Sequence, residues 1–149
     1  MADPTIAELF ERSGTDTINH RGRIVRAIVR LPVRDAAVVT IQRRDVGSPR
    51  PQALKLALNK GVLDVHHHRA PVVALWSHTS PETIELTVRG DASTLEVWNA
   101  WSFGGVDSSW IGNSGIVTRA EDRGQVLQCS DGVGPASFND LVALVSIER

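Results

Sequence analysis

The chain has 149 residues, of which 42% are hydrophobic and 22% are charged, so it can bury one core without disulfides or metals. This composition excludes a wholly disordered chain, and no apolar run approaches the roughly 20 residues of a membrane-spanning helix. The net charge of −1 gives no strong signal for nucleic-acid binding. We therefore expect one domain over residues 1–149, with neither a membrane segment nor a nucleic-acid partner.

Cysteine usage and the start of the chain bear on its cellular location. The single cysteine, Cys129, has no second cysteine with which to form an internal disulfide. The acidic first residues lack the basic and apolar stretches of a secretory signal. Both observations predict a cytoplasmic protein.

Charge is distributed unevenly along the chain. Residues 1–75 hold twelve Lys and Arg against seven Asp and Glu, whereas residues 76–149 hold four against ten. Complementary basic and acidic surfaces would favour self-association, so a homo-oligomer is one expectation. The alternative explains the uneven charge equally well: the charged residues lie on solvated strand surfaces, and acidic and basic residues happen to be separated along the chain.

The first predicted element is a short amphipathic helix at residues 3–13. Asp3 and Pro4 are typical of a helix start, apolar residues then recur at spacings of three and four, and Gly14 ends the pattern. A helix this short needs tertiary packing to persist. We expect it to lie against the sheet or against a partner subunit.

The segment at residues 22–31 fits either a strand or a helix. Its β-branched residues and the following Pro32 favour a strand with one apolar face. That face would carry Val25, Ala27, Val29 and Leu31. A helical stripe of apolar residues is the alternative.

The rest of the chain is typical of β-structure. Short apolar or alternating segments lie at residues 36–43, 54–58, 62–68, 72–76, 84–88, 95–101, 116–119, 125–130 and 141–148. Because no helix-length crossover separates them, the sheets should be antiparallel. The predicted fold is all-β, an antiparallel, jelly-roll-like β-sandwich with one short N-terminal helix. A small closed β-barrel is the alternative.

A run of three histidines is the first candidate site. In an extended strand His66 and His68 would point to one face, as two ligands of a divalent metal ion. The third ligand would be His78 or, alternatively, Asp64 or His20. Such a site inside a barrel would indicate a small metal-assisted enzyme. A solvated strand end is the alternative.

Tryptophans near Gly-rich loops form the second candidate site. Trp98 and Trp101 differ by an odd offset, so one should enter the core and the other should face outward or lie at the strand end. Trp110 lies in the Gly/Ser-rich loop at residues 102–114, where its ring could stack on a sugar or a base, or could fold back and close the end of the sandwich. The residues predicted to bind ligand are Asn99, Trp101, Trp110, Asn113 and Asp131.

The segment Phe138-Asn139-Asp140-Leu141-Val142 resembles the last strand of carbohydrate-binding jelly-roll domains. This resemblance implies a structural calcium ion at Asp140 and, less clearly, at Asp131, with further oxygen ligands from carbonyls and water. The stretches VVALW, LEVWNAW, WIGNSG, LQCSDGVG and FNDLV, across residues 71–145, also resemble a group of small β-rich bacterial proteins with no assigned function.

Two classes of function remain at this point. The first is a non-catalytic module that binds a small molecule or a protein, either as a monomer or as a homo-oligomer. The alternative is the metal-assisted enzyme based on His66, His68 and His78. No signature of nucleophilic catalysis is present in the sequence.

Overall fold

A computed structural model describes residues 3–148 as one helix and fourteen strands. The helix α1 is Ile6–Ser13, and the strands are β1 Thr17–His20, β2 Arg23–Arg26, β3 Val29–Pro32, β4 Val38–Asp45, β5 Gln52–Leu58, β6 Val62–Val65, β7 His68–Ala70, β8 Val72–Trp76, β9 Thr83–Arg89, β10 Thr94–Phe103, β11 Val106–Ser108, β12 Gly115–Glu121, β13 Gly124–Ser130 and β14 Leu141–Glu148. Strands rather than helices form because the apolar residues alternate and turn residues separate the segments.

The strands form two antiparallel sheets. The larger sheet has nine strands in the order β1-β2-β12-β13-β14-β4-β9-β6-β7, and the smaller has the order β11-β10-β5-β8, with β3 also paired to β10. Neither sheet closes on itself. The predicted antiparallel β-sandwich with one short helix is confirmed, and the closed-barrel alternative is wrong.

The main core lies between the two sheets. Alternate residues of β5 and β10, including Leu54, Leu56 and Val97, are buried against alternate residues of the larger sheet, including Val39 and Leu86. Burial of each such side chain contributes about 1.5–3 kcal/mol. The intervening residues of β5 and β10 therefore face away from the core.

The ambiguous segment at residues 22–31 forms two strands, β2 and β3, and the helical alternative is wrong. The chain leaves the larger sheet after β2 and joins the smaller one at β3, with a bend at residues 27–28. Val25, Val29 and Leu31 are buried as expected, whereas Ala27 lies in the bend and is only half-buried.

The helix begins later than expected because Thr5, rather than Asp3, is its N-cap. Thr5 and Glu8 form a capping box, and Gly14 ends the helix at φ +67°. Ile6 packs with Val25 and with Phe138 from another loop, which makes a second, smaller core. The helix thus packs against the β2 end of the larger sheet. Within residues 3–148, no helix is long and apolar enough to cross a membrane.

Candidate ligand-binding site

The outer face of the smaller sheet carries small side chains and two tryptophans. Paired residues of antiparallel strands point to the same side of a sheet. Three cross-strand rows make up this face: Glu96–Ala57–Val72, Trp98–Lys55–Ala74 and Ala100–Ala53–Trp76. Four of the nine residues are alanine. Of these, Ala53 and Ala100 are fully buried, whereas Ala74 is exposed.

Trp98 on this face stacks on Trp110 from the following loop. The two ring centroids are 5.2 Å apart and the ring planes are inclined by 28°. The indole Nε1 of Trp110 donates a hydrogen bond to the carbonyl oxygen of Ala27 at 3.0 Å. Trp110 is nevertheless 44% exposed. We call Trp98 and Trp110 the tryptophan pair. The stacking contact and the hydrogen bond orient Trp110, while much of its side chain faces solvent.

The position of Trp110 follows from a gap beside β10. Strand β5 pairs along one edge of β10, so β3 and β11 share the other edge, where they pair with residues 94–97 and 101–103. Within the described part of the chain, no strand pairs with residues 98–100 on that edge. Trp110 follows β11 by two residues and adopts φ +59°, an uncommon conformation for a bulky side chain. Its stacking and its hydrogen bond offset that conformational cost.

A second aromatic contact lies at the other side of the outer face. Trp76 meets His78 edge-on, with ring centroids 6.0 Å apart. Both residues line an open cleft of about 280 Å³ together with Thr79 and Asp107. The outer face therefore lies between two aromatic contacts and has polar side chains at its margin.

Three of the residues predicted to bind ligand are buried instead. Trp101 lies in the interior, where a Cβ added to Gly132 would be 2.5 Å from its ring. Asn99 is buried and its Nδ2 donates to the carbonyl oxygen of Ser130 at 2.8 Å. The prediction that Trp98 and Trp101 face opposite ways is confirmed. Asn99, Trp101 and Asp131 are covered by other residues, so none of the three is exposed to a ligand in this structure.

Asp131 forms the centre of a buried polar cluster. Its Oδ2 accepts hydrogen bonds from the Oγ of Ser48 at 3.2 Å, the Nε of Arg50 at 3.0 Å and the Nε2 of Gln52 at 3.0 Å. Its Oδ1 accepts one from the backbone N–H of Val133 at 3.0 Å. Buried carboxylates persist only with such partners. The cluster joins the segment that enters β5 to the end of β13.

Asp140 lies at the end of the loop at residues 131–140 and is hydrogen-bonded to Asp131 at its start. Its Oδ2 accepts the backbone N–H of Asp131 at 2.9 Å. Burial raises the pKa of Asp140, and the nearby charge of Asp131 raises it further.

The calcium ion implied by the jelly-roll resemblance does not fit these residues. The carboxylate oxygens of Asp131 already accept N–H and O–H donors, including the Arg50 guanidinium. Among residues 3–148, no group of three or more His, Cys, Asp or Glu side chains is arranged to hold a metal ion. Asp140 stabilises the loop by a hydrogen bond instead.

Asn113 lies away from the outer face and connects two other segments. Its Oδ1 accepts the backbone N–H of Ile6 at 3.2 Å, and its Nδ2 donates to the carbonyl oxygen of Gly134 at 2.9 Å. Asn113 thereby holds the first turn of α1 against the loop at residues 131–140.

The three histidines do not form a common site. His66 and His67 are the two central residues of the turn between β6 and β7, with φ +50° and φ +69°. The predicted strand through His66 and His68 is therefore wrong, because the chain reverses direction between them. His78 follows β8 of the other sheet and contacts Trp76.

The residues predicted to bind ligand did not include Trp98 and Trp76, the two tryptophans of the outer face. The outward position of Trp98 could have been predicted. Side chains alternate along β10, so Trp98 points to the opposite side from Leu95, Val97 and Trp101. Trp76 ends a continuous apolar run, VVALW, and such a run does not reveal which side faces solvent.

Comparison with known proteins gives no match to a family model, to a curated protein or to a solved structure.

The turn geometry predicts that the double substitution His66→Asn and His67→Gly stabilises the protein. Asn and Gly tolerate positive φ at both central positions of a two-residue hairpin, whereas other L-residues pay about 1 kcal/mol or more. Urea denaturation should show a higher free energy of unfolding. The matched control, His66→Val with His67→Val, should lower it, and a stabilising valine pair would contradict the turn assignment.

The raised pKa of Asp140 predicts a pH-dependent effect of Asp140→Asn. Below the ordinary value of 3.8 the carboxyl is protonated in both states and carries no penalty. As the pH rises from about 4 towards 7, the folded state holds its proton longer than the unfolded state, so the wild type loses stability relative to the variant. Unfolding free energies measured across this range should diverge. Asp35→Asn, which removes an exposed charge, is the control, and a constant difference for Asp140→Asn would refute the prediction.

Proposed function

We propose that this protein is a non-catalytic module that binds a ring-bearing ligand on the outer face of its smaller sheet. The observation that carries the proposal is the tryptophan pair, in which Trp110 is both oriented and 44% exposed. An indole that is already held in place loses little conformational entropy when a ligand stacks on it. Trp110 would be the main contact, supported from beneath by Trp98.

A neutral sugar is the ligand class that fits best. The apolar side of a sugar ring can stack on an indole, and its hydroxyls need both donors and acceptors. Lys55, Glu96, His78 and Asp107 lie on or beside the outer face and offer both. A nucleic acid fits less well, because Lys55 is the one basic residue among the nine that make up the outer face, and phosphate contacts need several Lys or Arg side chains. The resemblance of the last strand to carbohydrate-binding jelly-roll domains adds support.

The cytoplasm is the proposed location of this module. Burial of Cys129 raises the pKa of its thiol well above the ordinary value, so it stays a protonated core residue. Oxidising compartments favour disulfide formation, and a protein with this single, unreactive thiol forms no internal disulfide.

Trp110→Ala should weaken sugar binding about tenfold, because it removes the stacking surface. A panel of neutral glucose, galactose, mannose and xylose oligosaccharides can be titrated against the intrinsic tryptophan fluorescence. Trp110→Phe should retain part of the affinity. The exposed neighbour Ile111 provides the matched control, and Ile111→Ala should bind as the wild type does. The proposal fails if no sugar of the panel binds, or if Trp110→Ala binds unchanged.

A second candidate is self-association through the hairpin between β10 and β11. Phe103 and Val106 pair across the Gly104-Gly105 turn and are 57% and 63% exposed. Exposed apolar pairs of this kind are typical of contact surfaces.

If the hairpin is a contact surface, the double substitution Phe103→Ser and Val106→Ser should convert a dimer into a monomer. The loss of buried apolar area at the contact is the physical reason. Light scattering across a dilution series measures the mass directly. Ile24→Ser, at another exposed apolar residue, is the control and should leave the mass unchanged. A monomeric wild type would exclude this candidate and leave the sugar-binding proposal intact.

A further inference from the structure

A separate cleft of about 390 Å³ lies where the β1–β2 turn, the start of α1 and the loop at residues 131–140 meet. Three basic residues, His20, Arg21 and Arg23, line it from the hairpin side. His20 and Arg23 are paired across the two-residue turn, so they project to the same side. Asp3 is the one acidic residue among those that line the cleft in the described part of the chain.

The guanidinium of Arg23 is oriented by a neighbouring ring, and its N–H groups stay available to a ligand. Its guanidinium carbon lies 5.2 Å from the centre of the Phe138 ring, which is a cation–π geometry. Within residues 3–148, the guanidinium of Arg23 donates no hydrogen bond to a side chain or to a carbonyl oxygen. The N–H groups of such a guanidinium that point away from the ring can bind an anion in a forked arrangement.

Arg21 is similarly available. Its ion pair with Asp3 has an N···O distance of 3.7 Å, and the two side chains are 76% and 89% exposed. Exposed pairs of this length contribute little and are readily exchanged for a better acceptor. The cleft therefore has more positive charge than its own carboxylate neutralises.

Another basic cleft in the molecule shows the opposite arrangement. Arg44 and Arg119 each contact Glu121 Oε2 at 2.8 Å, and all three residues line one shallow depression. One guanidinium nitrogen of each arginine is thus paired with a carboxylate. The cleft at the β1–β2 turn differs because, within residues 3–148, neither the guanidinium of Arg23 nor the ring of His20 contacts a carboxylate.

The start of α1 does not supply this site. The backbone N–H of Ile6 donates to Asn113, that of Ala7 to Gly112 and that of Glu8 to Thr5. These amides are already paired. Recognition of an anion here must come from the side chains of the β1–β2 hairpin.

We propose that this cleft binds the phosphate group of a small soluble ligand. Arg23 and Arg21 would hold the phosphate oxygens by charge-assisted hydrogen bonds, and His20 would donate a further one. Phe138 forms a rigid apolar floor, since it is nearly buried and its backbone N–H bonds to the Oγ of Ser130. The volume suits a small molecule. The site is distinct from the outer face and does not depend on sugar binding.

The test is a titration of the isotopically labelled full chain with inorganic phosphate, followed by NMR. Sodium chloride at matched ionic strength is the reference. Saturable shifts should appear at residues 20–23 and 136–138, with a dissociation constant on the order of 1 mM for phosphate alone. Arg23→Gln should weaken binding at least about tenfold, because one charged hydrogen-bond donor is lost. Arg23→Lys keeps the charge but loses the fork, and should be intermediate.

Arg34→Gln is the matched control, since Arg34 is exposed and lies outside the cleft. It should bind phosphate as the wild type does. Unchanged amide shifts elsewhere in each variant verify that the fold is intact. The proposal is overturned if phosphate and chloride give the same unsaturated shifts, or if Arg34→Gln weakens binding as much as Arg23→Gln. Co-sedimentation with phosphatidylglycerol vesicles would also overturn it, in favour of a lipid surface.

Discussion

The buried carboxylate of Asp131 is the constraint on which this end of the molecule depends. A carboxylate without water is very costly unless each oxygen is hydrogen-bonded, and Asp131 obtains its donors from Ser48, Arg50, Gln52 and Val133. These bonds connect the smaller sheet to the larger one beside the loop at residues 131–140. Gln52 Oε1 is the remaining buried acceptor of this cluster without a partner in the described chain.

The loop at residues 131–140 contacts the segments that carry both proposed sites. Its Gly132 leaves room for the Trp101 ring beneath it, and its Phe138 lies under Arg23. The neighbouring loop contributes Trp110 to the outer face and Asn113 to the loop at residues 131–140. A Cβ on Gly112 would run into the carbonyl oxygen of Gly132, so the two loops are in close contact. The two surfaces are thus held by one continuous set of packed segments.

The candidate site could be predicted only in part from the sequence, and the reason lies in which contacts are local. The opposite orientations of Trp98 and Trp101 follow from strand periodicity, which is a property of a few consecutive residues. The burial of Asp131 depends on residues 48–52, which are distant in the chain. A polar residue in a Gly-rich loop therefore looked like a ligand contact. His66 was misread because alternation does not show where a strand reverses.

What the sequence determined by itself was the fold class, through apolar alternation, turn residues and the absence of helix-length crossovers. It also determined that a short helix forms near the start of the chain. Only the tertiary structure decided which polar and aromatic side chains are exposed. It brought Trp110 onto Trp98 and placed the Arg23 guanidinium over Phe138 with no acceptor among residues 3–148. Both outcomes rest on contacts between segments far apart in sequence, and local patterns carry no information about such contacts.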